Sequence, residues 1–81
     1  RWTGKQIDLI ELGYALKETG SLNEGNASLK EIFEYLSEVF EVEPGNTSRL
    51  FQDIITRKTS QTAFIDLMKE KILKRIEDVL N

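Results

Sequence analysis

Polar side chains that could read and hold a nucleic acid are concentrated between residues 48 and 58. Arginine and glutamine can make paired hydrogen bonds with guanine and adenine edges, and basic side chains bind phosphates. Arg49 and Gln52 lie three residues apart, which places them on one face of a helix. We expect Ser48, Arg49 and Gln52 to face base edges, and Arg57 and Lys58 to hold phosphates. The complete candidate site is Ser48, Arg49, Gln52, Thr56, Arg57 and Lys58.

The alternative for this stretch is an ordinary solvated helix face that ends in two basic residues. The charge distribution bears on this choice. The net charge is −3, which disfavours nucleic acid as a partner. Residues 1–44 carry four bases and nine acids, whereas residues 45–81 carry seven bases and five acids. The basic excess therefore lies in the half that contains the candidate site.

The chain contains no cysteine and no histidine. Disulfides and thiolate nucleophiles are therefore excluded, and most transition-metal sites and general base catalysis near neutral pH lose their usual side chain. Glu34 and Glu38 lie one helical turn apart, but two glutamates alone are more typical of a solvated face than of a metal site. We expect no enzyme activity, no metal and no cofactor.

Four apolar-periodic segments, separated by three clusters of helix breakers, predict an all-α, compact four-helix domain over residues 1–81. The first helix is expected to be capped by Thr3 and to run to about Thr19, and the second starts at the capping box formed by Ser28 and Glu31. Asn46 can cap a third helix from about Thr47 to Arg57, and the start of the fourth lies among residues 60–62. The second and third helices, joined by a short glycine-containing turn, outline a helix-turn-helix. No β-hairpin long enough to form a wing fits after the third helix.

The apolar positions of these helices predict the core. Gly13 lies inside the first helix, where glycine is unfavourable, and its presence indicates that another element passes close to the backbone there. The expected core residues are Ile10, Tyr14, Ile32, Leu36, Phe40, Phe51, Ile54, Phe64, Met68 and Ile72.

Taken together, short groups of residues along nearly the whole chain resemble the C-terminal region of the RteC family. The matching groups, in order, are residues 2–4, 8–12, 14–16, 25–27, 30–32 and 45–46, Arg49, Phe51, Ile54, residues 57–59, Thr62, Phe64 and Asp66. The resemblance implies a regulator carried on Bacteroides-type mobile elements, which promotes expression of excision genes. It would bind double-stranded DNA through a C-terminal helix-turn-helix domain, and an N-terminal domain would precede Arg1.

A second function is compatible with the same pattern. In this alternative the chain is a helical protein–protein interaction module, and an apolar groove between the first and last helices takes a partner helix or the N-terminal domain. The chain opens at Arg1 without a methionine or an apolar signal segment, which predicts a piece of a longer cytoplasmic protein. No apolar run is long enough to cross a bilayer, so we expect no membrane partner.

Overall fold

The computed structural model describes residues 1–81 and contains four α-helices and no strand. The helices are α1 (Gln6–Thr19), α2 (Leu29–Phe40), α3 (Thr47–Ile55) and α4 (Ala63–Leu80), with one 3₁₀ turn at Asn23–Gly25. The predicted all-α architecture is confirmed, including the absence of a β-wing after α3. None of the four helices combines the length and the apolar character that crossing a membrane requires.

Helix α1 is the centre of the domain. The other three helices each pack against α1, and no two of those three bring their backbones close together. Leu9 and Ile10 of α1 are completely buried, and Ile10 forms the core with Phe33 of α2 and Ile54 of α3. Because three helices pack on α1, this helix needs apolar side chains on more than one side.

The close approach predicted at Gly13 is confirmed. A Cβ atom at this position would overlap the ring of Phe33, so only glycine allows α2 to lie this close to α1. The capping box that starts α2 is also confirmed. The Ser28 hydroxyl accepts a hydrogen bond from the Glu31 amide, and the Ser28 amide donates to the Glu31 carboxylate, each at 3.1 Å.

The expected cap of α1 at Thr3 is wrong, because the helix begins at Gln6 and no side chain caps it. Trp2 explains the difference. Its indole packs against Phe40 and Phe64, and its amide donates to the Phe40 carbonyl at 2.7 Å. Trp2 therefore anchors the start of the chain at the end of α2 and the start of α4, and residues 1–5 do not extend α1.

Eight of the expected core residues are buried or half-buried, but Met68 and Ile72 are exposed. Their assignment to the core was wrong for a specific reason. Only Phe64 and Ile65 of α4 are partly covered by the rest of the domain, and every residue from Asp66 onward is exposed. The apolar face of α4 exists as expected, but it continues past the body of the domain.

The segment between α2 and α3 has the chain order of a helix-turn-helix, with residues 41–46 as the turn. The backbones of the two helices do not come close together. A groove of about 480 Å³ separates them, with Phe33 and Tyr14 among its lining residues. The DNA-binding helix-turn-helix therefore stays a prediction.

Candidate nucleic-acid interface

Helix α3 is a short amphipathic helix with a defined start. The Asn46 side chain accepts a hydrogen bond from the Arg49 amide at 3.1 Å, which is the N-cap expected from the sequence. Leu50, Phe51 and Ile54 face the core. The helical repeat then places Ser48, Arg49, Gln52 and Thr56 on the opposite, exposed face, so four of the six candidate residues are brought together.

An aromatic stack holds α3 against α1. The rings of Tyr14 and Phe51 are nearly parallel, 5° apart, with their centroids separated by 3.8 Å. Tyr14 also contacts Phe33 of α2, with centroids 5.9 Å apart. The outward face of α3 is therefore presented from a rigid support, as a recognition surface requires.

Arg57 is turned inward. Its Nη1 atom donates to the Glu11 carboxylate at 2.6 Å and to the Gln61 carbonyl at 3.2 Å, and Asp8 lies 4.0 Å from Nη2. The side chain of Arg57 is only 16% exposed. The phosphate-binding role expected for Arg57 stays a prediction, and in the folded chain its guanidinium is already engaged with the buried Glu11 carboxylate.

The second oxygen of the same carboxylate fixes the start of α4. Glu11 Oε2 accepts a hydrogen bond from the Ile65 amide at 2.7 Å. That amide belongs to the first turn of α4, where backbone N–H groups have no partner within the helix. One carboxylate of α1 thus joins the end of α3 to the beginning of α4.

Hydroxyl groups connect the segment from residue 57 to residue 62 to the start of α4 by hydrogen bonds. Ser60 and Thr62 donate hydrogen bonds to the Asp66 carboxylate in the first turn of α4. These hydrogen bonds, from Ser60 first and Thr62 second, lower the pKa of Asp66 below its ordinary value. Within this segment Lys58 is exposed and makes no ion pair, so its ammonium group is the one cation of the segment directed to solvent.

Acidic groups border the candidate face. Asp53 is exposed on α3 beside it, and Glu34 and Glu43 share with Ser48 the groove between α2 and α3. Lys30 is the basic residue of that groove. The electrostatic field across the candidate face is uneven. Acids lie near Ser48, whereas the base Arg49 lies on the helix and Lys58 lies beyond its end. A polyanion would be attracted to only part of it.

A comparison with protein-family models matches residues 1–79 to the family described as RteC protein. The chain belongs to the RteC family. No curated protein and no solved structure matches it. The resemblance drawn from the sequence is therefore confirmed, and membership of the RteC family suggests a protein connected with excision of a mobile element.

Two features of the site in this RteC-family chain were missed from the sequence. Glu11 positions α3 and α4, and its signal was an acid within the otherwise apolar segment Leu9–Leu12. A charge on a buried face needs a partner, but nothing in the sequence shows that the partner is 46 residues away. The second feature is Ile55, an apolar residue that is 44% exposed at the edge of the candidate site.

Proposed function

We propose that this chain is the DNA-binding domain of a transcriptional regulator that controls excision genes of a conjugative element, and that α3 is its recognition helix. The observation that carries the proposal is the exposed polar face of α3. It presents Ser48, Arg49 and Gln52 from a helix fixed to α1 by the Tyr14–Phe51 stack.

The chemistry of this face suits direct reading of base edges. Arginine pairs with guanine, and glutamine pairs with adenine, through two hydrogen bonds each. Helix α3 has nine residues and is therefore about 13 Å long, which suffices to contact a few successive base pairs in a major groove. Membership of the RteC family adds support, because the resemblance implies a regulator of excision genes that binds DNA.

The proposed phosphate contacts are few. Lys58 takes this role beyond the end of α3, and Thr56 contributes less, because its hydroxyl already donates to the Gln52 and Asp53 carbonyls. With an acidic chain and few phosphate contacts, we expect binding that depends on base contacts and has a shallow salt dependence.

The test is to select a preferred duplex from a random pool with the 81-residue chain, then measure affinities for selected and random duplexes at two salt concentrations. Arg49→Ala and Gln52→Ala should each cost about 1 to 3 kcal/mol on the selected site and little on random DNA. Lys58→Ala should weaken both and lower the salt slope by about one.

Lys74→Ala is the matched control, since it also removes one exposed cation but lies on α4, away from the candidate face. Its affinities should equal those of the wild type. If the three α3-side variants behave like this control while their helical spectra are unchanged, the recognition-helix proposal fails.

The runner-up is a helical interaction module. One observation favours it independently of DNA, namely the uncovered apolar face of α4. The two functions are compatible, because α3 and the outer part of α4 are separate surfaces.

A further inference from the structure

Helix α4 extends beyond the body of the domain. It has 18 residues and is therefore about 27 Å long, but only Phe64 and Ile65 in its first turn are partly covered. The Cα radius of gyration is 13.9 Å, whereas about 12 Å is expected for a compact domain of this length. The outer part of α4 is an arm with no partner within the chain.

One side of this arm is apolar. Its side chains are 46% to 79% exposed, and the helical repeat places them within about 120° of the helix circumference. We call this set the α4 stripe, and it consists of Ile72, Leu73, Ile76, Val79 and Leu80. Lys69 interrupts the stripe one turn earlier, so Ile72 is its N-terminal limit. A contiguous apolar surface of this kind on a soluble chain marks a site of interaction.

The two edges of the stripe carry opposite charges. Glu70 and Glu77 lie along one edge, and Arg75 lies along the other, with Lys71 farther round towards the back of the helix. Lys74 and Asp78 are on the back of the helix, where they form an ion pair of 2.9 Å with each other. The charges at the edges are therefore free to contact a partner.

This edge pattern determines which partner fits. When two identical helices pair in parallel, the left edge of one meets the right edge of the other, whereas antiparallel pairing brings like edges together. In parallel pairing of two α4 helices, the glutamate edge of each helix would face the basic edge of the other. Antiparallel pairing would set acid against acid and base against base. An anionic membrane surface also fits poorly, because the glutamate edge would be repelled.

We infer that the α4 stripe binds the α4 stripe of a second copy of this chain, with the two helices parallel. The inference does not depend on DNA binding by α3. Five apolar side chains per copy make a small interface, below the area typical of permanent dimers. The self-association is accordingly weak.

The first test is sedimentation of the 81-residue chain from low micromolar to millimolar concentration, which should show a rise from monomer towards dimer. Ile76→Glu should raise the concentration of half-association at least tenfold. This variant removes no buried contact, so its helical spectrum should match the wild type. Lys74→Ala, on the back of the helix, should associate like the wild type. A wild-type chain that stays monomeric throughout overturns the inference.

The second test determines the relative orientation of the two α4 helices. The chain has no natural cysteine, so an introduced cysteine is the only thiol that can form a disulfide. A Val79→Cys variant should form a disulfide-linked homodimer under mild oxidation, and adding Ile76→Glu should suppress it. In an antiparallel pair like edges meet, so position 79 would instead lie near position 72, which is on the same edge of the stripe. A mixture of Val79→Cys and Ile72→Cys chains that links mainly between the two variants would overturn the parallel arrangement.

Discussion

Glu11 and Arg57 show at the scale of single residues how a cation that looks available in the sequence is committed inside the fold. Glu11 is 5% exposed and shares its two oxygens between Arg57 and the Ile65 amide. Removing one member of such a pair leaves an uncompensated charge with little access to water. The main effect of the Glu11–Arg57 pair is thus expected to be on the stability of the fold. It would influence a DNA contact only by positioning α3.

Arg57→Ala should lower the free energy of unfolding by about 3 kcal/mol, because Glu11 would remain buried without its partner. Urea unfolding followed by circular dichroism measures this. The neighbouring substitution Lys58→Ala is the control and should change stability by less than about 0.5 kcal/mol. Equal effects of the two substitutions would show that Arg57 is free in solution and available to a phosphate.

Gly13 makes a second prediction at this scale. Alanine is normally favoured over glycine inside a helix by about 1 kcal/mol. Here the added methyl group would meet the Phe33 ring, so Gly13→Ala should instead destabilise the fold by about 1 to 3 kcal/mol. Combining it with Phe33→Leu should cost less than the sum of the two single changes. A stabilised Gly13→Ala chain would contradict the close packing of α1 and α2.

At the scale of elements, the helices that the sequence located well are those whose ends are encoded locally. The box of Ser28 and Glu31 and the Asn46 cap fix the starts of α2 and α3, and both involve residues three apart. The start of α1 was misplaced because Trp2 makes contacts about 40 and 60 residues away, which override the local cap at Thr3.

The candidate site also contains one part that was predictable from the sequence and one that was not. The outward set Ser48, Arg49 and Gln52 follows from helical periodicity and was predictable. The fate of Arg57 was not, because it depends on Glu11 in another helix. Periodicity also showed that α4 has an apolar face, but it contains no information on whether anything covers that face. Met68 and Ile72 were misassigned for this reason.

The helix starts make a prediction about pH. Hydrogen bonds from the Ser28 amide and hydroxyl lower the pKa of Glu31, whose ordinary value is 4.5, and the Ser60 and Thr62 hydroxyls lower the pKa of Asp66, whose ordinary value is 3.8. The folded chain then binds fewer protons than the unfolded chain at acidic pH. This contribution to stability is complete above the ordinary values and is lost as the pH falls through the lowered ones.

Thermal unfolding measured between about pH 7 and pH 2 should therefore show a decline that begins near pH 4.5. The variants Glu31→Gln and Asp66→Asn should each flatten part of that decline. Glu38→Gln provides the control, because Glu38 is exposed on α2 and no capping contact involves its side chain. Should all three variants decline as steeply as the wild type, the two carboxylates do not support the helix starts in the way proposed.

The whole molecule consists of a body, formed by residues 1 to about 65, and the projecting arm of α4. Trp2 and Glu11 hold the body together across the chain, since Trp2 contacts Phe64 and Glu11 binds the Ile65 amide. Beyond these contacts α4 adds no buried residue. The fold and the arm should thus be separable, and the single tryptophan reports on the body alone.

A chain that ends at Glu70 should consequently unfold in urea with a free energy within about 1 kcal/mol of the full chain, because the removed residues are all exposed. Trp2 fluorescence at low micromolar concentration is the appropriate measurement, since self-association then contributes nothing. A chain that ends at Gln61 loses Phe64 and the Ile65 amide, and it should be unfolded or several kcal/mol less stable. A large loss already at Glu70 would mean that the outer part of α4 packs on the body. The stripe would then be part of the core, and neither its exposure nor its pairing with a second copy could be correct.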